Sequence, residues 1–176
     1  MTDREHFEAA LAFATQKHQG QFRIGGAPYI SHPIAVAGIV QKWGYGLSYR
    51  ITALFHDLLE DTDAKPEEIL ALGGQDVLEA VELLTKHKGY VMAEYIAAIR
   101  KNPIAFVVKG ADRLHNLQCA QCADHDFKRR YIFETIDWYL DFSKEIPPAV
   151  KALALSLDQP ISKLSFLYDS VESWKI

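Results

Sequence analysis

At 176 residues, 49% hydrophobic and 24% charged, the chain has the length and composition of an ordinary globular domain able to bury its own core. Its formal net charge of -4 offers no basic footprint for a nucleic-acid polymer, and no apolar run approaches the ~20 residues that span a bilayer. The start, MTDREHFEAA, is acidic and polar rather than basic then apolar, so no secretory signal is read and a cytoplasmic protein is expected.

Thr2 followed by Glu5 is a capping-box signature, and Phe7, Ala10, Leu11 and Ala14 then recur at helical spacing, so a first helix should end near His18. Paired glycines and two prolines make QGQFRIGGAPYISHP a surface loop, long for a connector. Pro33 suits the first turn of the next helix and restrains His32 to extended geometry, which places that imidazole at a loop-to-helix junction rather than within a helix. Ser48 can cap a helix that runs through FHDLLEDT, and Pro66 opens a short helix that Gly73 closes. Helical patterns continue over 76–86, 91–101, 104–122, 127–145, 148–157 and 160–173, and no segment alternates as a strand between turn signals. The expected fold is all-α, a single domain over residues 1–176 of about eight to ten helices, with no repeat or linker to divide it.

Cys119 and Cys122, the only cysteines, lack the second pair or histidines of a zinc site and the βαβ context of a redox motif; they read as buried or half-buried thiols on a helix. The aromatic residues Trp138, Tyr139, Phe142, Phe166 and Tyr168 recur at helical spacing as core positions do.

At about 100° per residue, Ile51, Leu54, Phe55, Leu58 and Leu59 gather on one side of a helix, with His56, Asp57, Glu60 and Asp61 on the other. Taken alone, the polar side reads as the solvated face of an amphipathic helix. The alternative is that His56 and Asp57 bind one divalent ion while Glu60 and Asp61 remain free for chemistry. Two ligands do not make a site, and a hydrolytic metal usually takes three or four. Further donors are available from His32 and from Asp112, with Asn116 one turn beyond it. His115 falls beside the apolar stripe of that helix and reads as a packed or structural histidine, whereas His6, His18, His87 and His125 read as surface residues.

SHP at 31–33, HDLLEDT at 56–62 and KGADRLHN at 109–116, in this order, resemble the HD superfamily of metal-dependent phosphohydrolases. More narrowly they are similar to the hydrolase domain of the RelA/SpoT family, which breaks down the alarmone (p)ppGpp. HQGQFRIGGAPY before His32 and LTK at 84–86 extend the similarity, which covers roughly residues 5 to 120. The resemblance implies His32, His56, Asp57 and Asp112 as ligands of one Mn²⁺, with Glu60 and Asp61 orienting and deprotonating a water that attacks the 3′-diphosphate. It implies Arg23 stacked on guanine and Asn116 on the sugar or base, with Tyr29 supporting His32 or lining the pocket and Lys86 attracting phosphate. The expected activity is manganese-dependent (p)ppGpp 3′-pyrophosphohydrolysis. Alternatives are a phosphohydrolase of another nucleotide ((p)ppApp, a nucleoside monophosphate or the 2′-phosphate of NADPH), and a non-catalytic nucleotide-binding helical module. A dinuclear HD enzyme would need further histidines between Asp57 and Asp112, where only His87 stands. Ile24, where the family often has lysine, and the run LQCAQC from Leu117, with Gln118 and Cys119, depart from the family pattern and bear on phosphate and base preference. Nothing resembles a synthetase domain, so a stand-alone hydrolase is expected; oligomeric state has no signature in the sequence.

Overall fold

A computed structural model describes residues 2–23 and 25–157. Among these residues the chain forms ten α-helices and one short 3-10 helix: α1 (Asp3–Lys17), α2 (Ser31–Lys42), α3 (Leu47–Phe55), α4 (Leu58–Asp61), α5 (Pro66–Gly73), α6 (Gln75–Leu84), α7 (Met92–Lys101), α8 (Pro103–Cys119), the 3-10 turn Ala120–Cys122, α9 (His125–Trp138) and α10 (Ile146–Leu155). No strand occurs among the described residues beyond the isolated bridge Phe22–Pro28, in keeping with the all-α expectation. The expected helix over 160–173, with Phe166 and Tyr168, lies outside the described residues.

The chain divides into two compact units, Met1–His115 and Asn116–Ile176. In the first, α3 is the hub, packed against α1, α2, α5 and α6. Its last turn is buried all round: Ile51, Thr52, Ala53, Leu54 and Phe55 are each withdrawn from solvent, and of the polar side the periodicity suggested, Glu60 and Asp61 are exposed while His56 is buried. In the second unit α9 packs on α10, and Tyr139 and Phe142 are core residues as expected, with Trp138 half-buried.

Several boundaries differ from the sequence reading. The first helix is closed at its start by the full capping box of Thr2 and Glu5 and at its end by His18, as the pattern demanded. Ser48 is not a cap: Gly46 holds that position without a side-chain bond, and the Ser48 carbonyl accepts from the Thr52 hydroxyl at 2.8 Å. The helix through FHDLLEDT is interrupted at His56 and Asp57, where the His56 ring donates from Nδ1 to the Ala53 carbonyl at 2.8 Å, a side-chain bond that competes with the helical ladder. α2 starts two residues before Pro33, so His32 belongs to its first turn. α9 ends at Trp138 rather than near 145. Cys119 and Cys122 are exposed, not buried: the first ends α8 and the second lies in the 3-10 turn.

Candidate metal centre

The loop between α1 and α2 is short-circuited by its own backbone. Arg23 N–H donates to the Ala27 carbonyl at 2.8 Å and Tyr29 N–H to the Gln21 carbonyl at 2.9 Å, while Gly25 and Gly26 take φ of 104° and 88° at the tip. Only glycine adopts such values without strain, so the GG pair shapes the turn that presents Arg23. His18 anchors the base of the loop. It is 2% exposed, against the surface placement expected, because its ring packs on Tyr29 with centroids 4.8 Å apart and its Nδ1 bonds Gln21 Oε1 at 2.7 Å. Gln21 in turn donates to the Asp61 carbonyl at 2.7 Å. Of the other three histidines expected at the surface, His87 and His125 are exposed, while His6 is half-buried against the Leu72 carbonyl.

Behind this loop α2, the α3–α4 break and α8 deliver His32, His56, Asp57 and Asp112 to one point. His32 Nε2 stands 3.1 Å from Asp112 Oδ1 and 3.8 Å from Asp57 Oδ2. His56 Nε2 stands 3.1 Å from Asp57 Oδ2 and 3.7 Å from Asp112 Oδ1. Nitrogen and oxygen thus alternate around a ring. Two of its edges, at 3.1 Å, match the ~3.0 Å that separates neighbouring ligands of one ion with ~2.1 Å bonds at right angles; the other two are wider, and it is His32, His56 and Asp57 whose donor atoms all lie within 4.8 Å of one another, with Asp112 joining through His32. His56 Nε2 is buried and faces two carboxylates without a well-directed hydrogen bond to either, so the proton it carries in the metal-free pocket can give way to a cation. The residues present fit a divalent ion.

The electrostatics follow from crowding two acids and two bases in a dry place. Burial lowers the His32 imidazole, whereas His56, which burial alone would also lower, is carried up to about 10 by Asp57 and Asp112. Burial opposes ionisation of Asp57, yet His56 brings it down to about 2; Asp112 is held well below the usual carboxylate range, with Lys109 the chief cause against burial. Lys109 Nζ lies 2.9 Å from Asp112 Oδ2, leaving Oδ1 to face the histidines.

Glu60 and Asp61 are exposed on α4 beside this ring. The Tyr29 hydroxyl donates to Asp57 Oδ2 at 2.8 Å and reaches Asp61 Oδ2 at 3.2 Å, while its ring meets that of His32 edge-on with centroids 6.1 Å apart, so Tyr29 touches both the carboxylates and His32; burial and Asp57 keep its phenol protonated. Partial burial and Asp57 push the Asp61 carboxyl up, and a bound cation would act in the opposite sense. Glu60 Oε2 accepts from the Lys86 amide at 3.0 Å. The Lys86 ammonium instead lies over the rings of Tyr90 and Tyr95, 5.3 and 5.6 Å from their centroids. Asn116 is half-buried on α8 and belongs to the second unit. A separate cleft of about 570 Å³ is lined by residues of 79–98 and by none of the four ring residues.

Sequence reasoning missed three supports. His115 Nδ1 lies 2.7 Å from His32 Nδ1, Lys109 grips Asp112, and His18 with Gln21 braces Asp61. The first two carried a signal, each three residues from Asp112 on the same helix.

An all-helical body that brings two imidazoles and two carboxylates around one point defines a helical protein of the divalent-metal His/Asp class. The HD domain family matches residues 10–144, and the chain belongs to it. Among relatives, a "GTP pyrophosphokinase rsh" of Brucella melitensis is 33% identical over 177 residues, 94% of this chain and 23% of its own length. A "probable guanosine-3′,5′-bis(diphosphate) 3′-pyrophosphohydrolase" of Synechocystis is 33% identical over 148 residues, 78% of this chain and 20% of its own. The chain therefore spans less than a quarter of these relatives. A solved structure described as a metazoan ortholog of SpoT that hydrolyzes ppGpp superposes with a TM-score of 0.65 at 27% identity, covering 87% of this chain and 92% of that one. Among the described residues no helix is long and apolar enough to cross a membrane.

Proposed function

We propose that the chain is a metal-dependent (p)ppGpp 3′-pyrophosphohydrolase. The observation that carries this reading is the alternating ring of His32, Asp112, His56 and Asp57 with two exposed carboxylates, Glu60 and Asp61, next to it. Nitrogen and oxygen donors without thiolate suit Mn²⁺. A divalent ion held there would supply Lewis acidity to a phosphate oxygen and lower the pKa of a water.

The protein's own residues do the rest. Glu60 and Asp61 orient the water and take its proton, with Glu60 steadied by the Lys86 amide and Asp61 by Tyr29 and, through its backbone, Gln21. The water oxygen bonds to the phosphorus nearest the ribose, the bond from that phosphorus to O3′ breaks, and O3′ takes up a proton, giving pyrophosphate and GDP or GTP. Arg23, presented on its glycine turn, stacks on the guanine. Lys86 serves mainly through its amide. The similarity to the Synechocystis and metazoan proteins supports this substrate.

The reading is tested by incubating metal-stripped protein with (p)ppGpp and with (p)ppApp, with and without Mn²⁺, beside a Glu60→Gln, Asp61→Asn variant. Pyrophosphate should appear from (p)ppGpp only with added ion and wild-type acids. Faster turnover of (p)ppApp would move the assignment to the adenine alarmone, and release by the chelated sample would overturn the mechanism.

A further inference from the structure

We propose that His115 is a positioning residue that sets the ring tautomer of His32, an inference that rests on the metal-centre reading above. The two metal-facing histidines are braced from behind in different ways. His56 Nδ1 meets the Ala53 carbonyl at 2.8 Å; a carbonyl can only accept, so the proton sits on Nδ1 and the lone pair on Nε2. His32 has no carbonyl behind it. Its Nδ1 meets the Nδ1 of His115 at 2.7 Å, with ring centroids 4.9 Å apart and planes tilted by 32°.

Two nitrogens at that distance share one proton, and which of them bears it decides the use of His32. With the proton on His32 Nδ1, His115 accepts, and the Nε2 lone pair of His32 points at the gap shared with Asp112, Asp57 and His56. With the proton on His115 Nδ1, His32 must accept there and its own proton moves to Nε2, where it bonds Asp112 Oδ1 at 3.1 Å and blocks the seat. His32 is 1% exposed, so water cannot substitute as acceptor, and rotation of its ring would abandon both contacts. An acceptor at the His115 Nδ1 position is therefore what a metal-binding His32 requires, as outer partners of metal-bound histidines do generally.

The test pairs two substitutions. His115→Asn puts an amide oxygen where Nδ1 stands and removes the rest of the ring; His115→Phe keeps the ring and removes the acceptor. Binding of Mn²⁺ to metal-stripped, folded protein is measured by calorimetry alongside kcat and KM for (p)ppGpp. His115→Phe should weaken Mn²⁺ binding about 10- to 100-fold, the range that outer partners of metal ligands show, with His115→Asn within a few-fold of wild type. Wild-type Mn²⁺ affinity in His115→Phe, with only the nucleotide KM raised, would overturn the inference and make His115 a substrate contact. Failure of wild type itself to bind Mn²⁺ would overturn the metal reading and this inference with it. Should His115→Phe not fold, imidazole ¹⁵N spectra of the Zn²⁺-loaded wild type decide: a protonated Nδ1 on His32 and an unprotonated one on His115 support the inference, and the reverse assignment overturns it.

Discussion

Lys109→Met is the most informative substitution outside the ring itself. Lys109 Nζ lies 2.9 Å from Asp112 Oδ2, and the two side chains are only 12% and 9% exposed. Methionine preserves most of the stem and removes the charge. Deleting one partner of a buried pair costs about 3–5 kcal/mol, because the other charge is left without compensation. Asp112 still faces His32 and His56, so the expected loss in metal-stripped protein is at the lower end, about 3 kcal/mol, or roughly 6–12 °C in Tm for a chain of this size. A divalent ion against Oδ1 restores positive charge beside the same carboxylate. Saturating Mn²⁺ should therefore raise the Tm of Lys109→Met more than that of wild type and close most of the gap. Thermal unfolding followed by circular dichroism, with and without Mn²⁺, reads this directly. An equal deficit in both conditions, or no deficit without metal, would refute the reasoning.

Tyr29→Phe removes the hydroxyl shared by Asp57 and Asp61; a hydrogen bond to a charged group contributes about 1.5–3 kcal/mol to stability, so Tm should fall by roughly 3–12 °C, kcat/KM should fall as both carboxylates lose their donor, and an unchanged rate would sink the assignment. His56 is raised from 6.5 to about 10 in the metal-free pocket, so its contribution to stability is complete below pH 6.5 and is lost as pH climbs through about 10. Metal uptake must expel that proton, so apparent Mn²⁺ affinity should increase with pH up to about 10 and calorimetry in buffers of differing ionisation enthalpy should find about one proton released near pH 8. Leu54→Ala, at a fully buried position on the hub helix, should cost about 2–5 kcal/mol in urea unfolding, and a loss below 1 kcal/mol would mean α3 is not the centre of the core.

Helices with strong punctuation were legible from residues alone. Thr2 and Glu5 marked the start of α1, and Pro66 and Gly73 bounded α5 as expected. The break at His56 was not legible, because apolar periodicity runs through it undisturbed and the interruption comes from a side-chain bond to Ala53. The helical wheel gathered His56 with Asp57, Glu60 and Asp61 on one polar side without showing its depth: packing of α3 against four neighbouring helices buries His56 with the last turn, while Glu60 and Asp61 stay exposed. The four ring residues were named together only through the resemblance of SHP, HDLLEDT and KGADRLHN to the HD family, since no local rule joins His32 to Asp112 across 80 positions. His18 was misjudged as a surface residue, and the partner of the packed His115 was not foreseen, because a single sequence shows a histidine's helix and not what faces it from another.

The account depends on one ion sharing four donors. Crystals of the metal-stripped protein soaked in Mn²⁺ and measured for anomalous scattering test this most directly. One peak should lie about 2.0–2.3 Å from His32 Nε2, His56 Nε2 and a carboxylate oxygen of each of Asp57 and Asp112, and be lost in Asp112→Asn. A peak away from these atoms, or none at saturating Mn²⁺ in protein that still releases pyrophosphate, would contradict it.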